Sequence, residues 1–180
     1  PEHSAPILNA TDNPLNRTTA NLTAWNISTR DADQDNVKNI YNWYKDDQSI
    51  TVLNMPFEAV NNGTHTQTYW ARDYSPYGNN GTVSGATWNS TAGYDGKGVY
   101  DFSGSLDKIK IPQHSSINFT LDDNYTISFW MKGNYDWDGA DAIIEKWGPT
   151  GIGYPFVFRT YNSTNRKSVQ FCLYNGTHGV

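Results

Sequence analysis

From Tyr125 to Lys132 apolar and polar positions alternate without a break: Tyr125, Ile127, Phe129 and Met131 on one parity, Thr126, Ser128, Trp130 and Lys132 on the other. Successive strand residues point to opposite faces, so this is the pattern of a half-buried antiparallel strand; a helix would repeat its apolar residues every three or four positions. The same period returns in Thr19-Ala20-Asn21-Leu22-Thr23-Ala24 and in Asn118-Phe119-Thr120-Leu121. With 14% aromatic and only 17% charged residues, the remainder of the chain also favours pleated strands and polar turns. The expectation is an all-β, antiparallel β-sandwich.

In those segments the polar parity carries a second signal. The acceptor pattern Asn-x-Ser/Thr, with x not proline, begins at Asn9, Asn16, Asn21, Asn26, Asn62, Asn80, Asn89, Asn118, Asn124, Asn162 and Asn175. Independent draws from this composition would produce only about three or four such triplets, so the excess points to N-glycosylation and to a place outside the cytoplasm. In a strand the Asn and the hydroxyl residue two positions on share a face, which leaves the middle residue free to be buried. Asn-Gly-Thr and Asn-Ser-Thr are also turn chemistry, a sufficient reading of Asn80, Asn162 and Asn175 taken singly.

Charge and motifs exclude several functions. A net charge of −5 with scattered Lys108, Lys110, Arg166 and Lys167 lacks the basic patch that would neutralise phosphates, so no nucleic acid partner is expected. No apolar run approaches the ~20 residues of a membrane-spanning helix. The chain opens at Pro1 with neither initiator methionine nor signal segment and is expected to be a processed or excised piece. The single Cys172 rules out an internal disulfide and sits on the opposite parity from Val169, Phe171 and Leu173. The glutamates Glu2, Glu58 and Glu145 form no paired-carboxylate cluster of the kind glycoside hydrolysis needs. His3, His65, His114 and His178 lie far apart, and no Gly-x-Ser-x-Gly occurs, so the chain is expected not to be an enzyme.

Two units follow from the punctuation. Residues 1–50 hold three strand-like runs, at Pro6-Ile7-Leu8, Ala20 to Ile27 and Val37 to Lys45. They resemble the first half of an immunoglobulin-like or fibronectin-like repeat of microbial surface proteins, with Trp43 in the place of the buried strand-C aromatic. Residues 51–180 open with Thr51 to Glu58, then Asp73-Tyr74-Ser75-Pro76-Tyr77-Gly78-Asn79-Asn80-Gly81-Thr82, then Gly98-Val99-Tyr100-Asp101-Phe102-Ser103-Gly104, Asp107 to Pro112 and Thr126-Ile127-Ser128-Phe129-Trp130-Met131-Lys132. In this order they resemble the laminin-G-like (LamG) module, a concanavalin A-like jelly roll, as carried by archaeal-type surface proteins. Such modules run well past this length, and the expectation is a C-terminally truncated jelly roll whose open edges accept strands from other chains.

Calcium is the one cofactor the residues suggest. Asp31, Asp33 and Asp35 match the start of a calcium loop, although Asn36 and Asn42 replace its turn glycine and bidentate glutamate; a polar turn is the competing reading. The LamG and pentraxin resemblance implies a ligand at Asp107, with Lys108 where pentraxins have a second oxygen. The glycine-flanked aromatics Tyr135, Trp137, Trp147 and Tyr154 suit stacking on sugar faces, or packing at the rim of the core. The function expected is a non-catalytic, N-glycosylated, cell-surface module for adhesion or for recognition of extracellular carbohydrate or protein. The alternative is a structural subunit of an extracellular filament or surface layer, with other copies of the chain as partners.

Overall fold

In a computed structural model the chain is described over residues 1–15, 17–34, 37–58, 70–120, 122–133, 141–146, 156–163 and 166–173. These are nearly all β: short strands pair antiparallel throughout, and one 3₁₀ turn spans Ser115–Ile117, so the all-β sandwich-type reading holds. β1 (Glu2–His3) pairs with β4 (Thr29–Arg30), β2 (Ile7–Ala10) with β3 (Leu22–Trp25), and β5 (Tyr44–Lys45) with β6 (Gln48–Ser49). β7 (Trp70–Ala71), β8 (Gly81–Ser84) and β11 (Lys108–Lys110) form a sheet with β8 in the middle. β9 (Thr87–Asn89) pairs with β10 (Val99–Asp101), and β12 (Ala142–Lys146), β13 (Phe156–Ser163) and β14 (Arg166–Leu173) make a second three-stranded sheet, with β13 in the middle. No helix among the described residues is long and apolar enough to cross a membrane.

One hydrophobic cluster lies between the β8 sheet and the β9–β10 pair, and Phe156 and Val157 of β13 are also buried. In β8 Gly81 and Val83 are buried while Thr82 and Ser84 are exposed, the period-two pattern of a one-sided sheet. Val83 packs with buried Ala71 and Tyr100, and Met55, Phe57, Trp88 and Ile109 close around them. Phe57 meets Tyr100 edge to face at 5.5 Å, the favoured geometry for two quadrupolar rings. Gly81 is required here, because a Cβ would stand 2.5 Å from the Ile109 side chain.

Two segments that alternate like strands do not enter a ladder among the described residues. Residues 51–58 carry no regular element, and backbone groups of Val52 and Asn54 are taken by side chains instead. The Asn54 N–H donates to Asp73 at 2.8 Å, and the Val52 carbonyl accepts from Ser75 Oγ at 3.3 Å and Asn79 Nδ2 at 3.0 Å. Residues 124–133 keep the predicted alternation over most of their length: Tyr125, Ile127 and Phe129 are half-buried, while Thr126, Ser128 and Trp130 are exposed. The segment is held through rings rather than edges, with Tyr125 5.9 Å from Phe156 and Phe129 5.5 Å from Phe158, both on β13. Of the expected strand Val37 to Lys45 only Tyr44–Lys45 pairs; it turns back at Asp46 and Asp47, whose φ values of 50° and 61° are those of a tight hairpin.

The β2–β3 register puts Asn9 opposite Thr23 and Leu8 opposite Ala24. Leu22 therefore does face away from the Asn21 acceptor, but the apolar side is not covered: Leu8 and Leu22 are each 56% exposed. In β14 the parity of Ser168, Gln170 and Cys172 is half-buried, whereas Val169 and Phe171 are exposed. Phe171 nevertheless leans onto Phe158 at 4.5 Å, so the aromatic layer continues across the strand.

Candidate functional site

The turn between β9 and β10 builds one wall of an open cleft of about 340 Å³, lined by Lys38, Glu58, Trp88, Ser90, Thr91, Asp95, Gly96 and Lys97. The turn closes through Gly93 N–H to the Lys97 carbonyl at 2.8 Å and Gly96 N–H to the Gly93 carbonyl at 2.9 Å. Gly96 sits at φ +74°, where a side chain would be strained. The opposite wall comes from Lys38 and Glu58, with Phe57 directly before Glu58 in the chain. Phe57 holds φ 58°, a left-handed conformation that costs a bulky L-residue about 1–2 kcal/mol. That conformation accompanies a Phe57 carbonyl that accepts the Trp88 indole N–H at 2.8 Å. Gly98 lies under both groups: a Cβ there would stand 2.5 Å from the Phe57 carbonyl oxygen and 2.9 Å from Trp88 Nε1.

Charge in the cleft is internally balanced. Lys38 Nζ lies 2.8 Å from Glu58 and 3.1 Å from Asp95 and also donates to the Pro56 carbonyl at 3.3 Å. Glu58 additionally accepts the Gly98 N–H at 3.1 Å, and Lys97 Nζ donates to the Val37 carbonyl at 3.2 Å. Burial works against the Lys38 charge, but hydrogen bonds and fields from Glu58 and Asp95 outweigh it and raise its pKa above the ordinary lysine value. The same hydrogen bond from Lys38 leads the influences that hold Asp95 below the usual carboxylate value. These contacts also join the two units read from the sequence, since Val37 and Lys38 precede residue 50 and Glu58, Asp95 and Lys97 follow it.

Beside the cleft, Tyr94 stacks on Trp130 with ring centroids 3.8 Å apart and planes within 4°. Tyr94 immediately precedes the cleft residue Asp95, while Trp130 projects from the outward parity of the 124–133 segment. Both rings remain open to solvent, Tyr94 at 75% and Trp130 at 73% exposure.

The asparagines that begin the Asn-x-Ser/Thr triplets form a second set. Asn9, Asn21, Asn26, Asn89, Asn118, Asn124 and Asn162 are exposed and Asn80 is half-buried; Asn16, Asn62 and Asn175 lie outside the described residues. Three of these side chains bond to the fold through the oxygen: Asn80 Oδ1 accepts the Asp73 N–H at 2.9 Å, Asn89 Oδ1 the Thr91 N–H at 3.0 Å, and Asn118 Oδ1 the Lys146 ammonium at 3.2 Å. Outside the pattern, Asn39 likewise accepts at Oδ1, from the Thr29 hydroxyl at 2.9 Å, but three other asparagines donate. Asn42 Nδ2 donates to the Tyr74 carbonyl at 2.5 Å, Asn54 Nδ2 to the Tyr41 carbonyl at 3.1 Å, and Asn79 Nδ2 to the Val52 carbonyl at 3.0 Å and Ser116 Oγ at 2.9 Å.

Of the candidate metal residues the structure brings Asp31 and Asp33 into side-chain contact, and Asp107 sits in a separate turn. Asp31 and Asp33 flank a turn closed by the Gln34 N–H to the Asp31 carbonyl at 3.2 Å, and Asp35 lies outside the described residues. Asp107 closes its own turn, its carboxylate accepting the Gly104 N–H at 2.8 Å. Among the described residues no three His, Cys, Asp or Glu side chains gather where they could hold a metal ion. Tyr135, Trp137, Trp147 and Tyr154 all lie outside the described residues. Sequence reasoning passed over the Lys38–Glu58–Asp95 cluster and the Tyr94–Trp130 pair. The available signal was Trp130 itself, a large aromatic on the polar parity of an alternating strand. No family model matches the chain, and no curated protein or solved structure matches it.

Proposed function

We propose that this chain is a non-catalytic, N-glycosylated module of an extracellular cell-surface protein, LamG-like and preceded by immunoglobulin-like strands, that serves adhesion or recognition. One observation carries the reading. Among the described residues, Asn9, Asn21, Asn26, Asn80, Asn89, Asn118 and Asn124 donate no hydrogen bond from the amide nitrogen, the atom a glycan would occupy; outside the pattern Asn39 shares this state, while Asn42, Asn54 and Asn79 spend theirs on the fold. A sugar at any of those acceptors costs the protein no internal donor. Peptide mass spectrometry of the protein from its native source tests this: sugar is expected at most of these positions, and native peptides with every acceptor bare would sink the reading.

A second reading, assembly by strand exchange between chains, is supported by residues 124–133. Their backbone makes no hydrogen bond among the described residues while one face is already packed on β13, which is the state of a strand awaiting a neighbour. Native preparations are then expected to contain polymers, and a dilution-stable monomer there would count against it.

A further inference from the structure

The geometry points to a saccharide site made by the Tyr94–Trp130 platform and the cleft beside it, specific for neutral sugars. This rests on the recognition reading above and names its ligand class. Tyr94 and Trp130 each hide one ring face against the other and keep the rest in water, at 75% and 73% exposure. Large rings this open give up hydrophobic stabilisation that the core would supply, so their placement asks for a ligand that covers them. The outer faces carry the negative side of a ring quadrupole, which attracts the weakly positive C–H groups on the apolar face of a pyranose.

The cleft supplies the complementary half. A pyranose is apolar on its faces and hydroxylated at its rim, and Ser90, Thr91, Glu58 and Asp95 present hydroxyl and carboxylate oxygens within reach of such a rim. Two lysines and two carboxylates cancel, and neither ammonium is free: Lys38 is shared by Glu58 and Asp95, and Lys97 is spent on the Val37 carbonyl. A sulfated or uronic acid sugar would find no unpaired cation and would meet Glu58 and Asp95 as like charges. A protein partner would ask for a contiguous apolar pocket around the rings, and the cleft beside them is polar.

The sugar has two sources, a separate polysaccharide or this chain's own glycan at Asn89, whose Ser90 and Thr91 line the cleft. Asn89 and Trp88 are successive strand residues and point to opposite faces, which favours the separate polysaccharide.

The test is a titration of neutral and anionic oligosaccharides by calorimetry into three forms of the full chain: the native glycoprotein, the chain made without glycans, and Asn89→Gln. Neutral oligosaccharides are expected to bind all three. Binding to the glycan-free and Asn89→Gln forms alone would still support the site and identify the Asn89 sugar as its resident. Tyr94→Ala and Trp130→Ala, both at exposed positions, are each expected to weaken binding about fivefold with unchanged circular dichroism, and Trp130→Phe to recover part of it. The proposal is overturned by any of four results: no neutral saccharide binds, anionic sugars bind in preference, both alanine variants bind normally, or Trp130 instead controls association with a protein. A native chain bearing sugar on its asparagines but binding no saccharide would remove this site alone. A native chain without sugar that still binds would keep the site and remove the glycoprotein reading.

Discussion

Asn79 and Asn80 are adjacent in the chain and use opposite ends of the same functional group: Asn79 donates from Nδ2 to Val52 and Ser116, while Asn80 accepts at Oδ1 from the Asp73 N–H. Only Asn80 begins an acceptor triplet. Asn79→Asp removes the donor and leaves the Val52 carbonyl facing a carboxylate. It is expected to cost about 1–3 kcal/mol in denaturant unfolding with no change in glycan mass. Asn80→Gln is expected to lower the mass of the native protein by one glycan; an unchanged mass would show that Asn80 is not modified.

Asp73 is the knot of the same region. Only 4% exposed, it accepts the N–H groups of Asn54, Ser75 and Asn79 and the Ser75 hydroxyl, all at 2.7–2.8 Å. Asp73→Ala strands these donors together and is expected to destabilise by about 3 kcal/mol or more, since each unsatisfied buried donor costs about 1–3 kcal/mol. A shift in the urea midpoint worth less than about 1 kcal/mol would mean that water replaces the carboxylate.

The Lys38 cluster sets a pH window. Asp95 is held below its ordinary pKa, so its contribution is present above the normal carboxylate range and disappears as pH falls through the folded value. Lys38 is raised, so its contribution is present below the normal lysine range and disappears as pH rises through the folded value. The difference in thermal midpoint between the wild-type chain and Lys38→Met is therefore expected to stay level from about pH 5 to pH 9 and to shrink outside those limits. A difference that varies steadily through neutrality would contradict the assignment.

Gly98→Ala tests the cleft wall. Its Cβ would press on the Phe57 carbonyl and the Trp88 indole, so one of them must move. A loss of about 1–3 kcal/mol and a red-shifted tryptophan emission are expected, and wild-type stability with wild-type emission would show that the wall is soft.

How far the chain could be read in advance varies along it for physical reasons. The alternation of Tyr125, Ile127 and Phe129 with Thr126, Ser128 and Trp130 survived as a burial pattern because side-chain parity is a property of extended backbone, whether or not a ladder forms. The opening of the second unit, residues 51–58, joins no ladder, because Asp73, Ser75 and Asn79 take its backbone groups from about 20 residues away, and nothing local records that competition. The acceptor triplets were legible as letters, but which amide nitrogens stay unspent depended on neighbours brought in by the fold.

By itself the sequence determined the all-β class, the inner and outer faces of residues 125–130 and the positions of the Asn-x-Ser/Thr triplets, since each of these rests on a few consecutive residues. Tertiary structure alone decided that Lys38 meets Glu58 and Asp95, that Tyr94 stacks on Trp130, and which edges find partners. Such contacts close long loops, and the groups that win are those whose combined hydrogen bonds and burial outweigh the entropy of closure, a balance no short stretch of chain contains.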